Sequence, residues 1–230
     1  MTSSIKRSMD SVIKESIDSV IKIDIVSDVS CPWCAVGYNE LKKAIAQFDG
    51  EVDIAWLPFE INPDMSKEGQ DVASYLSQKY GMTSEQQQQN MAMIESRGHA
   101  AGFEFKPMKD RHVYNSFDCH CLLHIAKEYD LQTPLKLALL SLYFQRGGDI
   151  SDREMLSNTA RDAGLPSDAI ARAFNDKQLR DEVRDVMQQI RAAGVTSVPT
   201  LIVNNQYAIA GAQGEAGYLD ILQQVAAMEN

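Results

Sequence analysis

Cysteine and positive charge are both scarce in this chain, and each scarcity excludes a class of protein. Four cysteines among 230 residues are too few for a scaffold of structural disulfides at this size. Lys and Arg number 22 against 32 Asp and Glu, which gives a net charge of −10. Binding to nucleic acid, or docking on an anionic membrane, needs clustered positive charge. The composition therefore predicts neither nucleic acid nor membrane as a partner.

Long apolar runs are missing as well. No stretch approaches the roughly 20 apolar residues that span a bilayer. Charged residues interrupt any apolar segment of a secretory signal near the N-terminus; they are Lys6, Arg7, Asp10, Lys14, Glu15 and Asp18. We therefore predict a cytoplasmic protein. In a reducing compartment, closely spaced cysteines indicate redox or metal chemistry before structural cross-linking.

Strand and helix patterns alternate at the start of the chain. The β-branched segment 21–27 predicts a strand, and apolar residues three or four apart predict a helix from about 32 to 48. Residues 51–61 predict a second strand. Because Pro58 cannot donate a ladder hydrogen bond, we expect this strand at a sheet edge.

The rest of the chain completes one sheet domain around a helical block. Residues 62–193 carry helical periodicity throughout, and the segment VPTLIVNNQYAIAG then predicts a β-hairpin, with a helix closing the chain. This order predicts an α/β protein with a central mixed sheet, built from residues 21–61 and 194–230, and a helical insertion domain at 62–193. Residues 1–20 are predicted as an N-terminal extension, which is either an amphipathic helix that docks on the body or a partner, or dispensable.

Cys31 and Cys34 stand where the first predicted strand passes into the first predicted helix. The N–H groups at a helix N-terminus stabilise a thiolate, so we predict Cys31 as an exposed nucleophile with a lowered pKa. Cys34 lies one turn further, on the apolar stripe, and is predicted to resolve the mixed disulfide. Pro32 and Trp33 fill the first turn and help to set how many N–H groups face the Cys31 sulfur. A zinc site would need further ligands at suitable spacing, which the sequence lacks.

A second cluster, DCHCLLH at 118–124, contains two cysteines and two histidines. Residues two apart on a helix face different directions, and a metal site would need ligand pairs that are missing here. We therefore predict that Cys121 and His124 line the core of the helical domain. Thiol exchange of Cys119 or Cys121 with the redox pair stays open.

Three stretches together resemble a known family. They are SDVSCPWCAVG (27–37), FEINPDM (59–65) and GVTSVPTLIVNNQYAIAGAQ (194–213). In this order around a helical insertion they resemble the DsbA family of the thioredoxin superfamily, and more closely its FrnE-like branch of polyketide-biosynthesis dithiol–disulfide isomerases. The resemblance implies a thioredoxin fold and a thiol–disulfide oxidoreductase or isomerase acting on protein or small-molecule disulfides. It implies glutathione as an optional co-substrate. It implies no cofactor beyond the redox-active disulfide and no particular oligomeric state.

The resemblance also implies roles for residues near the C-terminal hairpin. The peptide bond between Val198 and Pro199 is expected to be cis and to lie beside the redox pair. Thr200 and Gln213 are expected to border the same site.

Thioredoxin-like folds often bury an acid near the resolving cysteine as its proton acceptor. Asp24 and Asp28 are the candidates here, and Asp24 is preferred. Alternation with Ile23 and Ile25 directs Asp24 away from one apolar face, but a parallel strand buries both faces. Asp28 is interpreted as a turn residue.

Two other functions stay open from the sequence. The glutathione-dependent 2-hydroxychromene-2-carboxylate isomerases and kappa-class transferases share this inserted fold, but they usually carry serine at the position of Cys31. A non-enzymatic chaperone or binding module with a vestigial redox pair is the third hypothesis. An exposed apolar patch formed by residues 5–21 would favour it.

Overall fold

A four-stranded sheet forms the centre of the computed structural model, which describes residues 20–107 and 111–229. The strands of the chain are β1 (Ile21–Ser27), β2 (Val52–Pro58), β3 (Gln70–Asp71), β4 (His112–Val113), β5 (Thr200–Val203) and β6 (Tyr207–Ala210). The central sheet has the order β2–β1–β5–β6. Strand β2 runs parallel to β1, and β5 runs antiparallel to it. Pro58 thus ends an edge strand, as predicted.

Helices cover both faces of this sheet and fill the segment between its two halves. They are α1 (Pro32–Ile45), α2 (Val72–Tyr80), α3 (Ser84–Ala101), α4 (Phe117–Ala126), α5 (Gln132–Leu140), α6 (Arg153–Asp162), α7 (Ser167–Asn175), α8 (Lys177–Ala192) and α9 (Glu215–Glu229). Helix α1 ends three residues before the predicted position. The reason is local: the N–H groups of Gln47 and Phe48 bond carbonyls three residues back, which tightens the chain into turns.

Strand β1 lies between two apolar layers. Ile21, Ile23 and Ile25 are at most 2% exposed and pack with α1 and α9, whereas Val26 packs on the other face. Burial on both faces explains why the strand is rich in β-branched residues. It also holds the end of β1, where the first cysteine follows, in a rigid position.

The segment 62–193 is mostly helical but not throughout. Strands β3 and β4 form a short antiparallel pair, in which Gln70 faces Val113 and Asp71 faces His112. Two-residue strands are too short to show a period of two, so the sequence pattern missed them. Asp71 then caps α2 by accepting a hydrogen bond from the Ser74 N–H.

The helices of this segment enclose their own apolar core, and two residues of the first βα unit join it. Leu122, Ile125 and Leu135 are fully buried there, together with Val29 and Ala35 from around the start of α1. The helical segment and the redox helix therefore share one packed interface.

The C-terminal hairpin closes on the other side of β1. Asn204 and Asn205 have positive φ angles of 48° and 55°, a conformation that asparagine tolerates well. None of the helices in the described part of the chain is long and apolar enough to cross a membrane. Apart from Val20, the predicted extension at 1–20 lies outside the described residues.

Candidate redox site

The turn after β1 delivers the first cysteine to the start of α1. Cys31 is the N-cap residue, with Pro32 in the first turn. The Cys31 N–H donates to the Asp28 carbonyl over 3.4 Å, and the Cys34 N–H donates to the Cys31 carbonyl over 3.1 Å. Both cysteines are free thiols. The predicted position of the pair, at a strand-to-helix junction, is confirmed.

The prediction of an exposed Cys31 is wrong. Cys31 is 4% exposed and Cys34 is 1% exposed. The loop before β5 covers the pair, because the Cys31 thiol lies 3.6 Å from the Val198 carbonyl oxygen, to which it donates. Cys31 is still the outer thiol of the two.

The same loop contains a cis peptide bond between Val198 and Pro199, as expected. Gly37 of α1 makes room for it: a Cβ placed on Gly37 would lie 3.2 Å from Pro199 Cγ and 3.2 Å from Tyr218 Oη. Thr200 is buried, and its hydroxyl donates to the Ser197 carbonyl over 2.8 Å. The proline loop is therefore fixed closely on the redox helix.

The ionisation of the two thiols is linked, and their pKa values move in opposite directions. Burial opposes ionisation of Cys34, but the hydrogen bond with Cys31 and the charge of Lys136 lower its pKa. The same hydrogen bond, together with burial, raises the pKa of Cys31 well above that of an ordinary thiol. A pair of this kind titrates as one unit. These directions favour ionisation of Cys34 over Cys31, against the expectation of a lowered pKa for Cys31.

The buried acid beside the pair is Asp28, so the predicted order of the two acids is reversed. Asp28 is 0% exposed, and a side chain of the helical segment, His120, contacts it. Its carboxylate accepts hydrogen bonds from the N–H groups of Ser30 and Ile61. Asp24 is only half-buried in the middle of β1, opposite Ala55 and Ile202.

His120 of α4 contacts Asp28 from the helical segment. Its Nε2 lies 3.5 Å from Asp28 Oδ1, and both side chains are almost fully buried. Burial opposes ionisation of Asp28, yet His120 and the two N–H donors hold its pKa well below the usual range. Burial lowers the pKa of His120 itself, so this contact pairs a neutral imidazole with a carboxylate.

The rest of the DCHCLLH cluster divides as follows. Cys119 and Cys121 are fully buried, as predicted for Cys121. His124 does not line the core: its side chain is 33% exposed and faces Glu182 at 3.7 Å. Within the residues that the structure describes, no three His, Cys, Asp or Glu side chains are grouped as metal ligands.

Lys136 of α5 is the second group that the sequence analysis missed. It is fully buried, and its ammonium lies 5.1 Å from the centre of the Trp56 ring. Burial lowers the pKa of Lys136, and the charge of Cys34 opposes this effect. A lysine inside the apolar run LKLALL is a signal that could have indicated a buried charge.

Glu60 lies two residues after the end of β2, close enough to Asp28 to feel its charge. It is 7% exposed, and its Oε1 has no hydrogen-bond partner. Burial and the nearby charge of Asp28 raise its pKa from 4.5 to about 8. Of these two neighbouring carboxyl groups, Asp28 is therefore ionised and Glu60 is protonated at neutral pH.

Trp33, between the two cysteines, is held by a charged pair. The guanidinium of Arg97, on α3, lies 5.2 Å from the Trp33 ring centre and bonds Glu40 of α1 through Nε and Nη2. Glu40 also accepts the Gly214 N–H over 3.0 Å. One ion pair thus joins the helical segment, the redox helix and the loop after β6.

Gln213 belongs to that last loop. Its amide donates to the carbonyls of Ala210 and Gly211, and its side chain is exposed. These bonds brace the turn that leads into α9. The hydrogen bonds of Gln213 involve neither cysteine and stabilise the turn.

A groove of about 580 Å³ opens between the loop after β2 and helix α2. Tyr75 on its wall donates to Asn62 Oδ1 over 2.6 Å, and Lys79 donates to the same oxygen over 2.6 Å. Burial chiefly raises the pKa of Tyr75.

A thioredoxin-type sheet, a helical insertion and a Cys-x-x-Cys pair under a cis proline together define a DsbA-type thiol–disulfide oxidoreductase. The chain belongs to the DSBA-like thioredoxin domain family, whose model matches residues 22–223.

The chain is also similar to individual proteins and solved structures. A probable DsbA oxidoreductase from Streptomyces coelicolor is 31% identical, with a TM-score of 0.82 over 91% of each chain. The protein YwbO of Bacillus subtilis is 29% identical over 84% of this chain and 91% of its own length. The cytosolic disulfide reductase DsbM of Pseudomonas aeruginosa, at 15% identity, shares the fold with a TM-score of 0.60 over 90% of this chain and 96% of its own.

Proposed function

We propose that this protein exchanges electrons with protein or small-molecule disulfides, with Cys31 as the nucleophile and Cys34 as the resolving thiol. The observation that carries the proposal is the placement of the pair. Cys31 is the outer thiol, at the helix N-cap and under the Val198 carbonyl, whereas Cys34 lies behind it inside α1.

The reaction runs through a mixed disulfide. As a substrate disulfide approaches, the proton of the Cys31 thiol moves to the Cys34 thiolate, and the resulting Cys31 thiolate attacks one substrate sulfur. The S–S bond of the substrate breaks, and its other sulfur leaves as a thiolate. Cys34 then loses its proton and attacks the Cys31 sulfur, which forms the Cys31–Cys34 disulfide and releases the second substrate thiolate. The enzyme dithiol loses two electrons, and the two substrate thiolates take up two protons. The reverse sequence oxidises a dithiol.

The groove beside Tyr75 is the proposed binding site for the substrate chain. Its volume suits an extended peptide segment or a low-mass thiol such as glutathione. Glutathione is named with the structure of DsbM, and we extend it to this chain as a proposed co-substrate. The cytoplasm is the proposed compartment. Isomerase activity and membership of the FrnE-like branch belong to the same proposal.

The test uses matched serine variants in an assay of insulin reduction or dithiol oxidation. Cys31→Ser is expected to abolish turnover. Cys34→Ser is expected to accumulate a mixed disulfide with the substrate at Cys31, which mass spectrometry detects. Cys121→Ser serves as the control for a buried cysteine outside the pair and is expected to keep turnover. Wild-type turnover in Cys31→Ser would overturn the proposal.

The direction of electron flow is tested by equilibrating the pair with glutathione. A reduction potential near that of thioredoxin supports a reductase. A value tens of millivolts higher supports an oxidase or isomerase, because about 30 mV corresponds to a tenfold change in the equilibrium.

A further inference from the structure

Trp33 occupies the first turn of the redox helix α1, between the two cysteines. An N-cap side chain accepts hydrogen bonds from the second or third N–H of its helix, and for Cys31 these belong to Trp33 and Cys34. The Cys34 N–H already bonds the Cys31 carbonyl over 3.1 Å, whereas among the described residues none accepts a bond from the Trp33 N–H. Pro32 has no N–H to offer. The Trp33 N–H is therefore a free donor for a negative charge on the Cys31 sulfur.

The indole of Trp33 is half-buried, so core packing covers only part of it. Trp33 shares one face of α1 with Gly37 and Glu40, which follow it by four and seven residues. The loop after β6 packs on the middle of this face, where a Cβ on Gly37 would lie 3.4 Å from Ala212 Cβ. At the N-terminal end of the face, the guanidinium of Arg97 lies 5.2 Å from the centre of the Trp33 ring, within the range of a cation–π contact. Arg97 is therefore a contact that holds the indole on this face.

Arg97 is itself fixed by several hydrogen bonds. Its Nε donates to Glu40 Oε1 over 3.0 Å, and its Nη2 donates to Glu40 Oε2 over 2.8 Å and to the Ala212 carbonyl over 3.3 Å. Glu40 Oε2 also accepts the Gly214 N–H over 3.0 Å. The Glu40 side chain is 9% exposed, and a carboxylate at such a site needs its partner, since removing one member of a buried pair is strongly destabilising. The guanidinium is therefore held in one orientation beside Trp33.

The charge of Arg97 is balanced at short range. Arg97 and Glu40 carry opposite charges 2.7 Å apart, so together they exert only a weak field on more distant groups. The shape of the guanidinium is the distinctive feature, because its edge binds a carboxylate through two N–H groups while its face covers an aromatic ring. Lysine carries a point charge and cannot do both at once. An effect of Arg97 on the redox pair therefore passes through its contact with Trp33.

We propose that Arg97 is a positioning residue for thiol–disulfide exchange, which holds Trp33 so that its N–H stays directed at the sulfur of Cys31. The proposal rests on the proposed function. Cys31 carries a negative charge when it attacks a disulfide and when it leaves in the reverse direction, and a helix N–H stabilises that charge. When the indole is released, the first turn of α1 is held less firmly and this donor is in place for a smaller share of the time. Exchange at Cys31 then slows in both directions.

The test is a double-mutant cycle of Arg97→Met and Trp33→Ala. The measured quantity is the rate constant for the reaction of the reduced protein with hydroxyethyl disulfide, which has no charge or ring to contact either residue directly. Arg97→Met is expected to slow this reaction roughly two- to fivefold, the factor that corresponds to one exposed cation–π contact. Trp33→Ala is expected to slow it at least as much, and the double variant to equal Trp33→Ala. If the two single effects multiply, or if Arg97→Met reacts like the wild type, the proposal is overturned.

Arg97→Lys separates the contact with Trp33 from the ion pair, and it carries the test if Arg97→Met does not fold. Lysine keeps a positive charge for Glu40 but has no planar group to cover the indole. Exchange is therefore expected to slow as in Arg97→Met, whereas a wild-type rate in Arg97→Lys would show that the ion pair alone is sufficient and would overturn the proposal. Arg172→Met is the matched control and is expected to follow the wild type, because it removes a half-exposed arginine of α7 that pairs with Glu128.

A second measurement is independent of turnover. The chain has two tryptophans, so Trp56→Phe leaves Trp33 as the source of tryptophan fluorescence, and the difference between the wild type and Trp33→Phe gives the same signal without that change. Acrylamide is expected to quench this fluorescence more strongly when Arg97→Met is added, and unchanged quenching overturns the role of Arg97. Wild-type turnover in Cys31→Ser would instead overturn the proposed function, so the two failures are distinguishable.

Discussion

Glu60 makes the stability of the protein depend on pH in a direction that can be worked out. Its pKa is raised from 4.5 to about 8 because the carboxyl group is buried next to the charge of Asp28. The guanidinium of Arg191 donates a hydrogen bond to the backbone carbonyl of Glu60 over 2.5 Å. The side-chain oxygen Oε1 of Glu60 is left without a hydrogen-bond partner. The perturbation to test is Glu60→Gln, which keeps the shape of the protonated side chain and cannot ionise.

The magnitude follows from the size of the shift. Because the folded state holds this proton more tightly than the unfolded state, the contribution to stability is fully present below pH 4.5. It is lost at about 1.4 kcal/mol per pH unit as the pH rises towards 8. Between pH 5.5 and pH 8.5 the expected loss is about 3 kcal/mol. Since typical domains are stable by about 5–15 kcal/mol in total, this loss is large.

The assay is urea unfolding at several pH values for the wild type and Glu60→Gln. All other titrating groups are shared, so the difference between the two curves isolates Glu60. The wild type is expected to lose about 3 kcal/mol more than the variant over this interval. Glu85→Gln, at an exposed site, is the control and is expected to follow the wild type. Parallel curves for the wild type and Glu60→Gln would refute the burial argument.

Two further predictions concern contacts between elements. Gly37→Ala brings a Cβ within 3.2 Å of Pro199 Cγ, so disulfide exchange is expected to slow. The free energy of unfolding is expected to change by less than about 1 kcal/mol, because alanine favours the helix and offsets part of the close contact. Unchanged exchange rates would contradict this prediction. Gln132→Leu removes an amide that pairs with both the N–H and the C=O of Trp56 on the edge strand β2. Urea unfolding is expected to show a loss of about 3 kcal/mol, and a loss under 1 kcal/mol would contradict it.

The local features of the redox site could be predicted from the sequence because they depend on neighbours in the chain. Strand β1, the N-cap position of Cys31 and the edge position of Pro58 each follow from a short pattern, and all three are found. The cis bond before Pro199 was accessible through the family resemblance and not through spacing.

The surroundings of the pair could not be predicted in the same way. The burial of Cys31 depends on the Val198 loop, 167 residues further along the chain. The choice between Asp24 and Asp28 depends on which one α4 covers, and a pattern of alternating residues within β1 contains no information about α4. His120 and Lys136 lie on helices whose apolar faces predict burial, but not which site they are buried against.

The electrostatics of the pair depend on how the helical segment docks. The sheet domain supplies the two cysteines and Asp28, whereas the helical segment supplies His120 and Lys136. These two groups act on opposite members of the site: His120 stabilises the charge on Asp28, and Lys136 stabilises the charge on Cys34. Without the helical segment, Asp28 would lose its contact with His120, and Cys34 would lose the influence of the Lys136 charge. The helical segment therefore contributes to the electrostatics of the redox pair as well as to the wall of the groove proposed to bind substrate.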